Sequence, residues 1–276
     1  MAEKQQEHLV LVRLGGELFI KSKRTRASFI RRLVRNLEDA LSGLSGETSV
    51  ERGWDRLFVH SDDAGVHSVV ARVFGISSYS PVEAVTPAVL DDIVAAGDLF
   101  VERVRGRTFA IRARRAGEHD FSSQDIQVRL GSRLLEASSG VDLDDPEVEV
   151  FVEVRNERAY LFAEKVEGPK GLPLGVEGRA VTLLSGGFDS AVAAWLMLKR
   201  GISQHYVFCN LGGDAYERAV VQVGKVLADD WSWGTRPKLH VVDFGGPLDE
   251  IRRHTREQYW QVVLKRLMYL AASMVG

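Results

Sequence analysis

Residues 180–190 read Ala180-Val181-Thr182-Leu183-Leu184-Ser185-Gly186-Gly187-Phe188-Asp189-Ser190. The first five have the length and composition of a buried parallel strand. After the turn, Ala191, Val192, Trp195, Leu196 and Leu198 recur at helical spacing. A small-residue turn between strand and helix leaves backbone N–H groups free to face an anion, and the helix dipole adds positive potential. Glycine removes the Cβ atoms that would keep a phosphate away. Gly-Lys-Ser/Thr is missing, so this is not a Walker A loop. The plainer alternative is an ordinary Gly-rich turn. Six positions in strand-and-helix context favour a phosphate site.

The whole chain has 276 residues, enough for about two domains or three small ones. Its 45% apolar and 27% charged residues describe a globular protein. No run approaches the roughly 20 apolar residues of a membrane span. Met1 to Glu7 is polar and reads as no signal peptide. A single cysteine, Cys209, excludes an internal disulfide framework. The expected location is cytoplasmic, with no membrane partner.

The net charge of −2 hides an uneven distribution. Lys21 to Arg35 holds seven Lys or Arg and no acid; Arg103 to Arg115 holds six Arg, with Glu102 just outside. Glu136 to Glu157 holds eight acids and one Arg. Clustered basic charge on a near-neutral chain suggests a polyanion touched by part of the surface. A solvated helix face is the alternative.

Three segments follow from hydrophobic periodicity. In the first, strands are expected at His8–Leu14, Thr48–Gly53, Arg56–His60 and Ser77–Val85. Helices are expected at Ser28–Leu41 and Ala64–Phe74. The order βαββαβ is that of a ferredoxin-like unit. The second segment opens with a helix from Pro87, capped by Thr86. Thr108–Arg115 follows as a strand with Arg112 and Arg114 on one side. Gln124–Ala137 reads as a helix capped by Ser122 or Ser123. Glu147–Val154 and Arg158–Val166 read as strands joined at Asn156-Glu157. Glu167 to Gly175 is a Gly/Pro linker. The third segment carries strands near Val181, Tyr206 and Val241 and one long helix from Leu248 to Met274. The expected domains are 1–80, 81–167, a linker at 168–178, and 179–276.

Several stretches together resemble one family. Arg13 to Ser22 looks like the opening strand and turn of the tRNA 4-thiouridine synthetases. Phe109 to Arg115 with Gly117 to Ser123 resembles their THUMP domain, an RNA-binding module. Lys170 to Gly175 resembles the linker into their ATP domain. Ser185 to Ser190 is similar to the pyrophosphate loop of enzymes that split ATP between its α and β phosphates. Asn210-Leu211-Gly212-Gly213 looks like that domain's second strand end, and Val262 to Met268 like a later helix.

The resemblance implies a mixed α/β and α+β architecture: a ferredoxin-like unit, a THUMP domain, and a doubly wound parallel sheet of the adenine-nucleotide hydrolase type, C-terminally truncated. It implies a tRNA uracil 4-sulfurtransferase, which adenylates a uracil carbonyl with ATP and replaces it with persulfide sulfur. A role in thiamine thiazole synthesis is left open. Ser185, Gly186, Gly187 and Ser190 would cradle the phosphates, and Leu183 and Leu184 would contact adenosine through their backbone. Asp189, the catalytic residue, would match the motif's acidic position, holding Mg²⁺ or orienting the phosphates, and no other metal contact is assigned. Lys265 would approach the α-phosphate; its alternative is a surface lysine. Lys21, Lys23, Arg24, Arg26, Arg112, Arg114 and Arg115 would bind RNA. The implied cofactors are ATP and Mg²⁺. The implied partners are tRNA and a cysteine desulfurase or other persulfide donor, with a homodimer left open.

Other residues carry less. Cys209 lies in a strand-like run and reads as a small buried hydrophobe. In the resembled family the sulfur-handling cysteine lies beyond Gly276, so this chain is expected not to thiolate alone. His119 and Asp120 could form a polar pair. His240 and His254 have no ligand partners at metal spacing. Trp231 and Trp233 read as packing residues. Two alternatives stand beside the sulfurtransferase: a tRNA-binding fragment with an inactive ATP site, and another THUMP-bearing adenylating RNA-modification enzyme.

Overall fold

The computed structural model describes residues 8–53 and 55–276; the polar stretch Met1 to Glu7 lies outside the described residues. The first elements are β1 (His8–Leu14), α1 (Lys23–Leu41), β2 (Thr48–Arg52), β3 (Arg56–Ser61), α2 (Val66–Val70) and β4 (Ile76–Val82). Helix α1 starts five residues before the expected Ser28. Ser22 caps it, its Oγ accepting from Thr25 N at 3.3 Å, and Lys and Arg are good helix formers. Helix α2 is shorter than the expected 64–74. Its end tightens through Arg72 N to Val69 O and Val73 N to Val70 O, as suits a valine-rich segment with stiff, β-branched side chains.

The next elements are β5 (Ala84–Pro87), α3 (Leu90–Ala96), α4 (Val101–Val104), β6 (Thr108–Ala116), α5 (Ser123–Leu135), β7 (Gly140–Val141), β8 (Val148–Arg155) and β9 (Arg158–Phe162). Pro87 does not open a helix, and Thr86 does not cap one. Both belong to β5, where Thr86 stands opposite Ala159 and Pro87 opposite Arg158. The strand lies at the sheet edge, where a missing N–H is tolerated. Helix α5 opens on a capping box: Ser122 Oγ accepts from Asp125 N at 3.1 Å, and Asp125 Oδ2 accepts from Ser122 N at 2.7 Å. Asn156 turns the chain between β8 and β9 at φ 51°.

The last elements are β10 (Val166–Glu167), β11 (Arg179–Leu183), α6 (Phe188–Lys199), β12 (Ser203–Asn210), α7 (Asp214–Trp231), β13 (Leu239–Asp243), α8 (Gly245–His254) and α9 (Trp260–Ser273). The expected helix over Leu248–Met274 is broken in two. Thr255 is extended (φ −120°, ψ 145°), and its carbonyl accepts from Trp260 Nε1 at 2.8 Å.

Among the described residues three open sheets result, with strand orders β10-β4-β1-β3-β2, β5-β9-β8-β6-β7 and β11-β12-β13. The first four-strand order, β4-β1-β3-β2, is ferredoxin-like. The second sheet packs Phe109, Val150, Val152 and Leu161 against Phe100, Ile126, Leu130 and Leu134. The third sheet is parallel throughout and is covered on both faces. Leu184, Tyr206 and Phe208 pack with Ala194 and Leu198 of α6 and Val220 and Leu227 of α7. Val207, Cys209, Val181 and Leu183 pack with Leu264, Leu267 and Met268 of α9. That is the doubly wound arrangement.

By contact density the chain forms two units. One comprises the chain up to Val12, Glu51–His67 and Tyr79–Val166; the other comprises Arg13–Val50, Ser68–Ser78 and Glu167–Gly276. Within the second, Phe74, Trp195 and Trp231 form an aromatic cluster with ring centroids 5.3 to 5.4 Å apart. No helix of the described residues is long and apolar enough to cross a membrane.

Candidate functional site

Strand β11 ends at Leu183, and α6 begins at Phe188 without a side-chain cap on Gly187. The first N–H groups of α6 are therefore left to a ligand or to water. Two serines brace the turn. Ser190 Oγ accepts from Ser185 N at 3.0 Å and lies 2.9 Å from Ser185 Oγ, while Gly187 N donates to Ser185 Oγ at 3.4 Å. Neither Gly186 nor Gly187 has positive φ. A Cβ on Gly186 would meet only Ala219 and Val220, at 3.5 and 3.9 Å, and one on Gly187 only Ser185 Oγ at 3.6 Å. Neither packing nor backbone strain demands glycine there. What a Cβ would fill is the space in front of the loop, the space an anion needs.

That space is a cavity of about 770 Å³ lined by Leu183, Leu184, Ser185, Gly186 and Gly187. Its far wall is Phe208, Cys209, Leu211, Gly212, Tyr216, Ala219 and Met268. It sits at the carboxyl ends of β11 and β12, where open α/β sheets bind ligands. Asn210 shapes the second rim: its Oδ1 accepts from Gly212 N at 3.2 Å and Gly213 N at 2.9 Å, and its Nδ2 donates to Glu217 at 3.1 Å. One end is thus a row of N–H donors and the rest is apolar, a shape suited to a phosphate chain joined to a flat ring.

Asp189 is exposed in the first turn of α6 and is not among the cavity-lining residues. Lys265 is exposed on α9, one turn before the cavity-lining Met268. Sequence reasoning missed Phe208, Tyr216, Ala219 and Met268. Their only signal was proximity to Asn210–Gly213 or to the Lys265 helix. Cys209 is buried, and burial raises its thiol above the ordinary range.

The basic residues fall into separate groups. Lys23 and Arg24 are exposed and Arg26 half-exposed at the start of α1, a first turn with no acidic residue. Cations there oppose the helix dipole. Lys21 Nζ stands 5.8 Å from the Phe29 ring, and the Arg26 guanidinium 6.0 Å from Phe19. On β6, Arg112 Nε donates to Glu149 at 2.7 Å and Nη2 to the Leu143 carbonyl at 2.8 Å. Arg115 reaches Gly117 O at 3.2 Å and His119 Nδ1 at 3.3 Å. His119 also bonds the Asn156 carbonyl at 2.6 Å, so its partners are these rather than Asp120. Arg114 is exposed. Among the described residues no group of three or more His, Cys, Asp or Glu is placed to hold a metal.

Fold and site define a THUMP-bearing protein with a pyrophosphate-loop α/β sheet. The chain belongs to the tRNA sulfurtransferase family: it is 41% identical over 269 residues, 96% of its length, to a probable tRNA sulfurtransferase of Saccharolobus solfataricus, of which it covers 70%. A probable tRNA sulfurtransferase of Aeropyrum pernix is 42% identical over 272 residues, covering 96% of this chain and 68% of that protein. Family models match in chain order: the ThiI ferredoxin-like domain at residues 9–80, the THUMP domain at 88–164, and thiamine biosynthesis protein (ThiI) at 175–276. A crystal structure of a 4-thiouridine synthetase in complex with RNA and ATP superposes with TM-score 0.81 at 28% identity, over 98% of this chain and 70% of that one.

Proposed function

We propose that this chain acts in the ATP-dependent conversion of a tRNA uracil to 4-thiouridine, with the domains 1–80, 81–167 and 179–276 and the linker 168–178. The carrying observation is the cavity that joins the Ser185–Ser190 loop to an apolar wall at two strand ends. ATP would lie with its phosphates on the N–H groups of Gly186, Gly187 and the start of α6 and its adenine toward Phe208, Leu211 and Tyr216. Leu183 and Leu184 would meet the adenosine part through their backbone.

Attack of the uracil oxygen on the α-phosphorus drives negative charge onto the departing pyrophosphate. Preorganised N–H donors stabilise that charge. Ser185 and Ser190 hold the donors in place. Lys265, on the helix that carries Met268, would reach over the cavity as a mobile cation toward the α-phosphate. Mg²⁺ is usually bound by one or two carboxylates together with substrate phosphates. The single exposed Asp189 beside the loop fits that role, and the ion would neutralise phosphate oxygens. Cys209 is assigned no sulfur-carrying role, because a buried, neutral thiol is a poor nucleophile.

The RNA would be held by Lys21, Lys23, Arg24 and Arg26 and by Arg112, Arg114 and Arg115. The unfavourable placement of cations at the α1 N-terminus supports this reading, since an anionic partner would relieve it. A cysteine desulfurase or other persulfide donor would supply sulfur, the setting would be cytoplasmic, and a homodimer and a thiamine role belong to the same reading. The test is pyrophosphate release from ATP with and without unmodified tRNA. Release that requires tRNA supports adenylation; ATP turnover indifferent to tRNA, or none, contradicts it.

A further inference from the structure

A second concavity lies at the opposite, amino-terminal end of the β11-β12 pair. It has a volume of about 380 Å³, and its ionisable lining is Arg32, Arg179, Arg236 and His205. Among the described residues that line it there is no carboxylate. Arg32 is held by backbone carbonyls: its Nε donates to Leu174 O at 2.8 Å and its Nη2 to Gly234 O at 2.9 Å. Carbonyls fix the guanidinium without cancelling its charge. Burial, joined by repulsion from Arg35 one turn away on α1, pushes Arg32 below the usual arginine range. Arg236 is paired with Asp39, the one acid that also acts on Arg32.

Arg179 is different. It is exposed at the first position of β11, and among the described residues its side chain has no hydrogen-bond or ion-pair partner. His205 Nδ1 accepts from Lys238 N at 3.1 Å. That bond fixes the neutral tautomer with hydrogen on Nε2, a second open donor. Arg32 Nη1 and Arg236 Nε are likewise unused by the bonds above. Four side chains with donors to spare therefore line one small polar concavity carrying more positive than negative charge. The exposed Arg31 and Arg35 of α1 continue the basic surface beyond it.

We propose that this concavity binds a phosphodiester group of RNA, giving the nucleotide-binding sheet its own RNA contact at the end remote from ATP. The inference rests on the RNA reading above. An arginine fork with a nearby N–H donor suits phosphate oxygens in geometry and charge. The contact would be independent of base identity and would position the RNA rather than read it.

The test is binding of fluorescein-labelled tRNA to the full chain across a salt series, for wild type, Arg179→Glu and Arg179→Lys. Wild type should bind with a negative slope of log K against log salt. Arg179→Glu should lose about tenfold in affinity and flatten the slope by about one unit, as expected for one lost phosphate contact. Arg179→Lys should retain most of the affinity. ATP affinity and the melting temperature should not move in either variant. Wild type that binds tRNA while Arg179→Glu matches it in affinity and slope overturns this site alone. Wild type that binds no tRNA overturns the RNA reading itself. Inorganic phosphate, titrated separately by NMR, distinguishes the other source: phosphate shifts abolished by Arg179→Glu with tRNA binding unchanged would replace the RNA assignment with a free-anion site.

Discussion

At the level of single residues, two kinds of glycine separate. Gly186 and Gly187 are replaceable as far as the protein's own packing goes, so their smallness serves what enters the loop. Gly171 is the opposite case. Its φ is +75°, and a Cβ there would overlap the Lys199 carbonyl. Gly171→Ala should therefore destabilise the chain by about 2 kcal/mol or more, read from urea unfolding. Gly187→Ala should leave the unfolding midpoint within about 0.5 kcal/mol of wild type yet weaken ATP binding at least tenfold in a titration; equal ATP affinity would mean that no phosphate approaches there. Asp189 is exposed and sits beside the loop rather than under it. Asp189→Ala should abolish tRNA-dependent pyrophosphate release while tRNA affinity persists. Loss of tRNA affinity with intact release would reverse that assignment.

At the level of the element, β12 links fold and site. Tyr206 and Phe208 face α6 and α7, while Val207 and Cys209 face α9. Alternation puts both layers against one strand, and the same strand delivers Phe208 and Cys209 to the cavity wall. Burial pushes the Tyr206 phenol up to about 12, against about 10 in an unfolded chain. The neutral phenol is therefore favoured by folding. Its contribution is complete below about pH 10 and is lost as pH rises toward about 12. Urea midpoints measured at pH 8, 10.5 and 11.5 should fall, and Tyr206→Phe should fall less steeply. Parallel slopes for the two proteins would remove Tyr206 as the cause.

At the level of the whole molecule, basic residues that look equivalent in sequence differ in commitment. Arg112 is held by Glu149 and the Leu143 carbonyl, and Arg103 donates to Glu83 at 2.7 Å. Arg114, two residues along the same strand, is exposed. In tRNA titrations Arg114→Ala should flatten the salt dependence by about one unit of slope, and Arg112→Ala by less. Equal effects would show that the Glu149 pair opens for RNA.

Much of this molecule was legible in the chain. β1 falls on its expected residues, the βαββαβ order holds, and the Ser185–Ser190 loop lies between strand and helix. These are local matters: periodicity, turn chemistry and caps act within a few residues. Where local signals competed, the partner decided. Pro87 looked like a helix start, yet pairing with Arg158 drew it into an edge strand. The 248–274 run looked continuous, yet Trp260 ties the extended Thr255 carbonyl and splits it. Tertiary structure alone brought Phe208, Tyr216 and Met268 to one cavity, and set Arg32, Arg179 and Arg236 around another. These residues come from separate stretches of the chain, and no pattern within a strand or helix records which ends of a parallel sheet will meet.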